Sequence, residues 1–265
     1  MNRILTIRAC ALGDFVLNLP ALRALQERET DTRFTLVGYP STLEWARRFI
    51  TVEAIYSIEL QPWSQLFYKT IPPLRFERAI VWMKEPAFAE NLRRSGVGDV
   101  LRADPFPSNG HAATHLLNTI GLPAPELPDC WRPDGDRVIL HPGSGSLRKN
   151  WPHFRELASR LKNPAFLIGP AEKNFDTCGH ARLENQSLEQ AVQMLSTARA
   201  FVGNDSGITH LSAYLGCPTI ALFGPTDPAV WSPIGRRVQI VRDSNLSSIS
   251  PSHVLENLGV QASLG

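Results

Sequence analysis

Nothing in this 265-residue chain approaches the roughly 18 consecutive apolar residues of a membrane-spanning helix, so none is expected. Cysteine is scarce and dispersed. Cys10, Cys130, Cys178 and Cys217 show no C-x-x-C spacing, which argues against a zinc site and against a disulfide framework, and reduced thiols are expected. Excess charge is also lacking. With 27 basic and 25 acidic residues the formal net charge is +2, and the doublets Arg47-Arg48, Arg93-Arg94 and Arg236-Arg237 are scattered, so no nucleic-acid partner is expected. The opening segment has a basic start, but Arg8 and Asp14 interrupt it before it reaches signal-peptide length. A cytoplasmic protein is the expectation.

What is present is ordinary globular composition, 43% hydrophobic and 20% charged, long enough for two domains of about 130 residues each. Short apolar runs alternate with amphipathic stretches, the pattern of parallel sheets covered by helices. In the first half, strands are expected at Arg3 to Arg8, Phe34 to Gly38, Ala54 to Ile58, Ala79 to Met83 and Asp99 to Leu101. Helices are expected at Phe15 to Gln26, Leu43 to Phe49, Ala87 to Ser95 and His111 to Ile120. The segment Gly121 to Asp136 packs four prolines into sixteen residues and reads as a linker, which divides the chain into domains 1–128 and 129–265. The alternation then restarts with strands at Arg137 to Gly143, Phe166 to Gly169, Ala200 to Gly203, Thr219 to Phe223 and Arg237 to Val241. Helices at Pro152 to Leu161, Leu188 to Leu195, Gly207 to Leu215 and Ser252 to Leu258 complete the second half.

Ligands of open α/β sheets bind at the carboxyl ends of strands, where glycine loops and helix N-termini point. Three strand-to-helix loops carry polar chemistry there. In "RACALGDFVLNLPAL", Asp14 is expected at or beside a helix N-cap, either as a cap or as a general base. In "HPGSGSLRKNWPHFRELASRL", Gly143 and Gly145 would let backbone N–H groups approach an anion, with Ser144, Ser146, Arg148 and Lys149 adding donors and charge. The loop matches neither G-x-x-x-x-G-K-[ST] nor G-x-G-x-x-G, and an ordinary turn is the other reading. In "FVGNDSGITHLSAYLGCPTIALFG", Asp205, Ser206 and the N–H groups from Gly207 onward converge at a helix start, with His210 one turn on. Ile208, Leu211, Ser212 and Leu215 would face the core, Gly216 would end the helix and Pro218 would stop it. That segment reads equally as a well-capped helix with a buried histidine. A Ser-His-Asp hydrolase is a poor fit, because "GNDSG" is not the G-x-S-x-G elbow.

Taken in order, "LGDFVLNLPALRAL", "HPGSGSLRKNWP" and "GNDSGITHLSAYLGCPTIALFGPTDPAVWSP" resemble glycosyltransferase family nine, the bacterial heptosyltransferases that build the lipopolysaccharide inner core. The resemblance implies the GT-B fold, an α/β architecture of two Rossmann-like domains whose parallel sheets face a central cleft. It implies an inverting transfer, without metal or other cofactor, of heptose from an ADP-linked donor to a lipid-linked saccharide acceptor at the cytoplasmic face of the inner membrane. Carried onto this sequence, Asp14 of the Gly13-Asp14 pair is the general base, and Lys149 is counted with it as catalytic because it would neutralise the leaving diphosphate. Ser144 and Gly145 would contact that diphosphate. Asp205, Ser206, Gly207 and His210 would bind diphosphate and sugar, and Glu172 would hold the nucleoside. The alternative is a nucleotide-binding module of the same fold without transfer activity.

Overall fold

The computed structural model describes residues 2–259. It divides into two compact units, Met1–Pro125 and Glu126–Gly265. Glu126 and Leu127 are held to the second by Arg236, whose guanidinium bonds to the Glu126 carboxylate and, at 3.0 Å, to the Leu127 carbonyl.

The first unit runs β1 (Arg3–Arg8), α1 (Leu12–Arg28), β2 (Arg33–Gly38), α2 (Pro40–Leu43), β3 (Val52–Ser57), β4 (Arg78–Trp82), α3 (Pro86–Arg94), β5 (Asp99–Ala103) and α4 (Ala112–Ile120). All five strands are parallel, in the order β3-β2-β1-β4-β5. β1 and β2 are buried along almost their whole length and read as continuous apolar runs, as strands covered on both faces must. The alternation read from the sequence is therefore borne out, with shifted ends. The helix expected over Leu43 to Phe49 is instead the short α2 followed by a 3-10 turn, Glu44–Arg48, because Pro40 starts the helix three residues early. A second 3-10 turn, Trp63–Phe67, packs on α3, where Asn91 Nδ2 donates to the Leu66 carbonyl at 3.1 Å.

The second unit runs β6 (Val138–His141), α5 (Phe154–Ser159), β7 (Pro164–Ile168), β8 (Ala181–Glu184), α6 (Leu188–Thr197), β9 (Ala200–Asn204), α7 (Gly207–Tyr214), β10 (Thr219–Phe223), α8 (Pro228–Trp231), β11 (Val238–Arg242) and α9 (Pro251–Asn257). Its six strands are also parallel, ordered β11-β10-β9-β6-β7-β8. β8, an edge strand of four partly exposed residues, was not expected. Its alternating "ARLE" lacks the apolar run that marked the others. Pro152 does not open the helix after β6; α5 begins at Phe154, once Trp151 has been anchored.

Each sheet has one place where consecutive crossovers turn from one side to the other. In the first unit this switch point lies between β1 and β4, and in the second between β6 and β9. Loops leaving the carboxyl ends of the two flanking strands part there and leave room for a ligand.

Candidate functional site

At the second unit's switch point, His141 of β6 pairs in register with Gly203 of β9, so the loops that follow these strands emerge side by side. The loop after β6 is Pro142 to Asn150, ending in a 3-10 turn at Leu147–Lys149. Asn204, fully buried at the end of β9, holds both ends of it. Its Nδ2 donates to the Pro142 carbonyl at 2.8 Å, and its Oδ1 accepts the Trp151 N–H at 2.9 Å. The sequence reading had placed Asn204 in a turn and given it no role. A polar residue closing an otherwise apolar strand was the available signal.

That clamp carries Lys149 to Asp205. The Lys149 Nζ lies 2.7 Å from Asp205 Oδ2, and His210 Nε2 lies 3.7 Å from Asp205 Oδ1. Asp205 is only 8% exposed. Burial opposes its ionisation, but hydrogen bonds from His210, Lys149 and Thr226 outweigh that and hold the carboxyl at about 2, below its ordinary 3.8. His210 is buried as well, and its Nδ1 has no partner among the described residues.

α7 begins at this cluster. Its N-cap, Ser206, makes no capping bond to the backbone; the hydroxyl lies 3.0 Å from Thr209 Oγ1, which donates to the Asn204 carbonyl at 2.6 Å. The first-turn N–H groups of Gly207 onward have no intrahelical acceptor and carry the positive end of the helix dipole. Leu211, Ser212 and Leu215 are buried as expected, Ile208 is only half-buried, and Ala213 and Tyr214 are buried too. Beyond its first two residues the helix is buried on every face, and it ends at Gly216, whose φ of +92° suits glycine.

The Gly-Ser-Gly loop is built differently at each position. A Cβ on Gly143 would lie 1.9 Å from Glu172 Oε1, so glycine is required there and Glu172 is drawn onto the loop. Glu172 closes the 3-10 turn Pro170–Glu172 after β7, and its Oε2 accepts the Gly169 N–H at 3.1 Å. A Cβ on Gly145 would meet open space. The Ser144 hydroxyl is engaged within the loop, 2.6 Å from both the Ser146 carbonyl and Asn150 Oδ1. His141 is pushed to a lower pKa by burial, and its Nδ1 sits 2.9 Å from the Leu167 carbonyl, as in a neutral imidazole donating there.

In the first unit Asp14 is not the N-cap. Ala11 holds that position without a side-chain bond, because α1 starts at Leu12, and Gly13 and Asp14 lie in its first turn. Asp14 is partly exposed near the carboxyl end of β1. The structure thus brings Ser144, Lys149, Glu172, Asp205, Ser206, Gly207 and His210 to one switch point, and Gly13 and Asp14 to the other.

One Asp-x-Asp triplet occurs, Asp134-Gly135-Asp136. It precedes β6, at the opposite edge of the sheet, and Asp136 is taken up by Asn163 and Lys162 at 2.9 Å each. Among the described residues, no group of three or more His, Cys, Asp or Glu could hold a metal ion. No described helix is long and apolar enough to cross a membrane.

Comparison with known proteins converges on one family. Residues 133–256 match the family described as Glycosyltransferase family 9 (heptosyltransferase). Lipopolysaccharide heptosyltransferase 2 of Salmonella typhimurium is 30% identical over an alignment spanning 42% of this chain and 42% of that protein, less than half of the relative's length. Lipopolysaccharide heptosyltransferase 1 of Pseudomonas aeruginosa is 26% identical over 88% of this chain and 82% of its own. Among solved structures, the E. coli heptosyltransferase WaaC with ADP superposes with a TM-score of 0.77 at 19% identity, covering 97% of this chain and 99% of that one. The α/β fold of two parallel-sheet units is that of these GT-B proteins, and the second unit, over residues 133–256, is similar to glycosyltransferase family 9.

Proposed function

We propose that the protein is an inverting, metal-independent glycosyltransferase that moves heptose from ADP-heptose to a lipopolysaccharide-type acceptor. The observation that carries this is the cluster of Lys149, Asp205 and His210 at the start of α7, beside the Gly143 loop. A departing nucleoside diphosphate develops negative charge as the anomeric carbon becomes oxocarbenium-like. Lys149, the His210 imidazole and the first-turn N–H groups of α7 supply positive potential for it without a cation. Asp205 is itself anionic and would repel a diphosphate, so its part is to hold Lys149 and His210 in place and to accept hydroxyls of the sugar. Ser144 shapes the loop whose N–H groups meet the phosphates, and Glu172, a carboxylate against Gly143, is placed to accept ribose hydroxyls. ADP and ADP-heptose analogues accompany related enzymes in solved structures, which supports the choice of donor.

Asp14 takes the acceptor hydroxyl's proton. Being partly exposed and at a strand's carboxyl edge, it can meet a substrate from solvent, with Gly13 beside it in the first turn of α1. The acceptor is lipid-linked and the enzyme rests on the cytoplasmic face of the inner membrane. In support, the first unit exposes Leu60 (66%) and Tyr68 (68%), with Tyr39, Tyr56 and Phe67 partly bare and Lys69 Nζ 5.9 Å from the Tyr68 ring, an aromatic and cationic mixture suited to an anionic lipid surface.

The test is a transfer assay of Asp14→Asn with ADP-heptose, alongside calorimetry with ADP, UDP and GDP. Transfer is expected to fall about 10²-fold or more, with ADP affinity unchanged and ADP preferred. A rate near wild type would sink the role of Asp14, and preference for UDP or GDP would overturn the donor. A family match confined to residues 133–256 favours one second reading, a nucleotide-binding module without transfer; ADP binding with no transfer to any extract-derived acceptor would establish it.

A further inference from the structure

The first unit's switch point carries a buried charge that nothing balances. Arg8, the last residue of β1, is 4% exposed, yet no ion pair to it exists among the described residues and its shielded Nε has no hydrogen-bond partner. The adjoining thiol offers no counter-charge. Burial pushes Cys10 up to about 12, so the thiol that hydrogen-bonds with Arg8 remains protonated and neutral beside the guanidinium. Asp14 also acts on Cys10 but makes no pair with Arg8. Nearby acids are engaged elsewhere: Asp104 accepts the Phe106 N–H at 2.9 Å, and Glu85 caps α3 through the Ala87 N–H at 3.1 Å.

Two further residues complete the setting. The guanidinium carbon of Arg8 lies 6.0 Å from the centroid of the Phe106 ring, and Lys84 Nζ lies 4.8 Å from the same ring. Lys84 stands two residues beyond β4 and Phe106 three beyond β5, so the three side chains come from the carboxyl ends of three neighbouring strands, β1, β4 and β5. Two cations sharing one exposed ring repel each other, and a desolvated guanidinium without a counter-charge is costly. An anion lying against them relieves both. A planar oxyanion suits the guanidinium fork best.

We propose that Arg8, Lys84 and the face of Phe106 form a binding site for a carboxylate or phosphate group of the acceptor, on the edge where Asp14 waits for the acceptor hydroxyl. The proposal rests on the transferase reading for the identity of the ligand, while the anion site itself is open to a separate measurement.

That measurement follows the arginine Nε–Hε resonances of the full chain during titration with inorganic phosphate and, separately, acetate at constant ionic strength. ADP is kept saturating so that the second unit is occupied, and the Arg8 signal is assigned by its loss in Arg8→Lys. Saturable movement of the Arg8 signal with either anion is expected, and the anion that saturates at lower concentration names the group. Arg47, exposed and paired with Glu44, serves as the reference. Lys84→Ala and Phe106→Ala, both surface changes, are expected to weaken the effect about threefold or more each. If the Arg8 signal drifts no more than that of Arg47, or saturates unchanged in Lys84→Ala, the site is refuted. In a transfer assay Arg8→Gln is expected to raise the KM for acceptor and leave that for donor alone; equal changes in both would overturn the acceptor assignment. Failure of the titration leaves the donor reading intact, since that is judged by ADP binding, and failure of ADP to bind leaves the Arg8 titration readable.

Discussion

The two switch points of this chain are built on the same topology and handle charge in opposite ways. In the second unit the buried Asp205 carboxylate is matched before a ligand arrives, by Lys149 and by His210, with Asn204 closing the loop that brings them together. In the first unit Arg8 and Asp14 stand on one edge, and neither forms an ion pair with the other or with any described neighbour; Arg8 meets only the neutral Cys10 thiol and the Phe106 ring. A paired site is rigid and ready, and a ligand that enters must compete with bonds already made. An unpaired one stores unfavourable desolvation that only a ligand can relieve. The difference agrees with the proposed division, in which the second unit would bind the donor and the first would hold the acceptor and take its proton.

The comparison is broken most sharply by neutralising one cation in each unit. Lys149→Met strands the buried Asp205 carboxylate and is expected to cost about 3 kcal/mol of stability together with most of the donor affinity. Arg8→Gln removes a cation that has no partner to strand, so its stability is expected to match wild type or exceed it. Chemical denaturation of both variants without ligand decides the matter. Equal destabilisation would mean that Arg8 is compensated after all.

A second cut goes to the clamp. Asn204→Ala leaves the Pro142 carbonyl and the Trp151 N–H without partners in a buried place, for an expected loss of about 2 to 3 kcal/mol. Because the clamp positions Lys149, donor KM should rise in Asn204→Ala while acceptor KM stays constant. A loss of stability with both constants unchanged would show Asn204 to be a packing residue and no more.

How much of this could be read in the sequence follows from the period of each signal. Strands such as Arg3–Arg8 and Thr219–Phe223 announced themselves because burial on both faces leaves an unbroken apolar run. β8 did not, since an edge strand can be half polar. Gly143, Lys149, Asp205 and His210 stand out as candidates in the sequence because loops after strands are short and their polar residues few. Asn204 and Arg8 carry no such signal: each ends an apolar strand, and only the fold shows that one is saturated with bonds and the other is buried without a counter-charge. Asp14, expected at or beside the cap, lies in the first turn, because α1 begins three residues earlier, at Leu12, than its first large apolar residue, Phe15, suggests.

The smallest expected effect is the most specific to the paired site. The Asp205 carboxyl titrates at about 2 in the folded chain against an ordinary 3.8, so the folded state favours the ionised form. Its contribution is complete above that ordinary value and is lost as pH falls from there toward 2, because the unfolded chain then takes up a proton that the folded site refuses. The amount is about 2 kcal/mol. Thermal melts between pH 5 and 2 should therefore show wild type losing more stability than Asp205→Asn, whose amide keeps the shape and cannot titrate. Arg8→Gln should track wild type over the same range, since Arg8 stays charged throughout. Parallel curves for wild type and Asp205→Asn would mean that the Lys149 and His210 contacts do not hold the carboxylate in solution, and the contrast between the two switch points would lose its electrostatic basis.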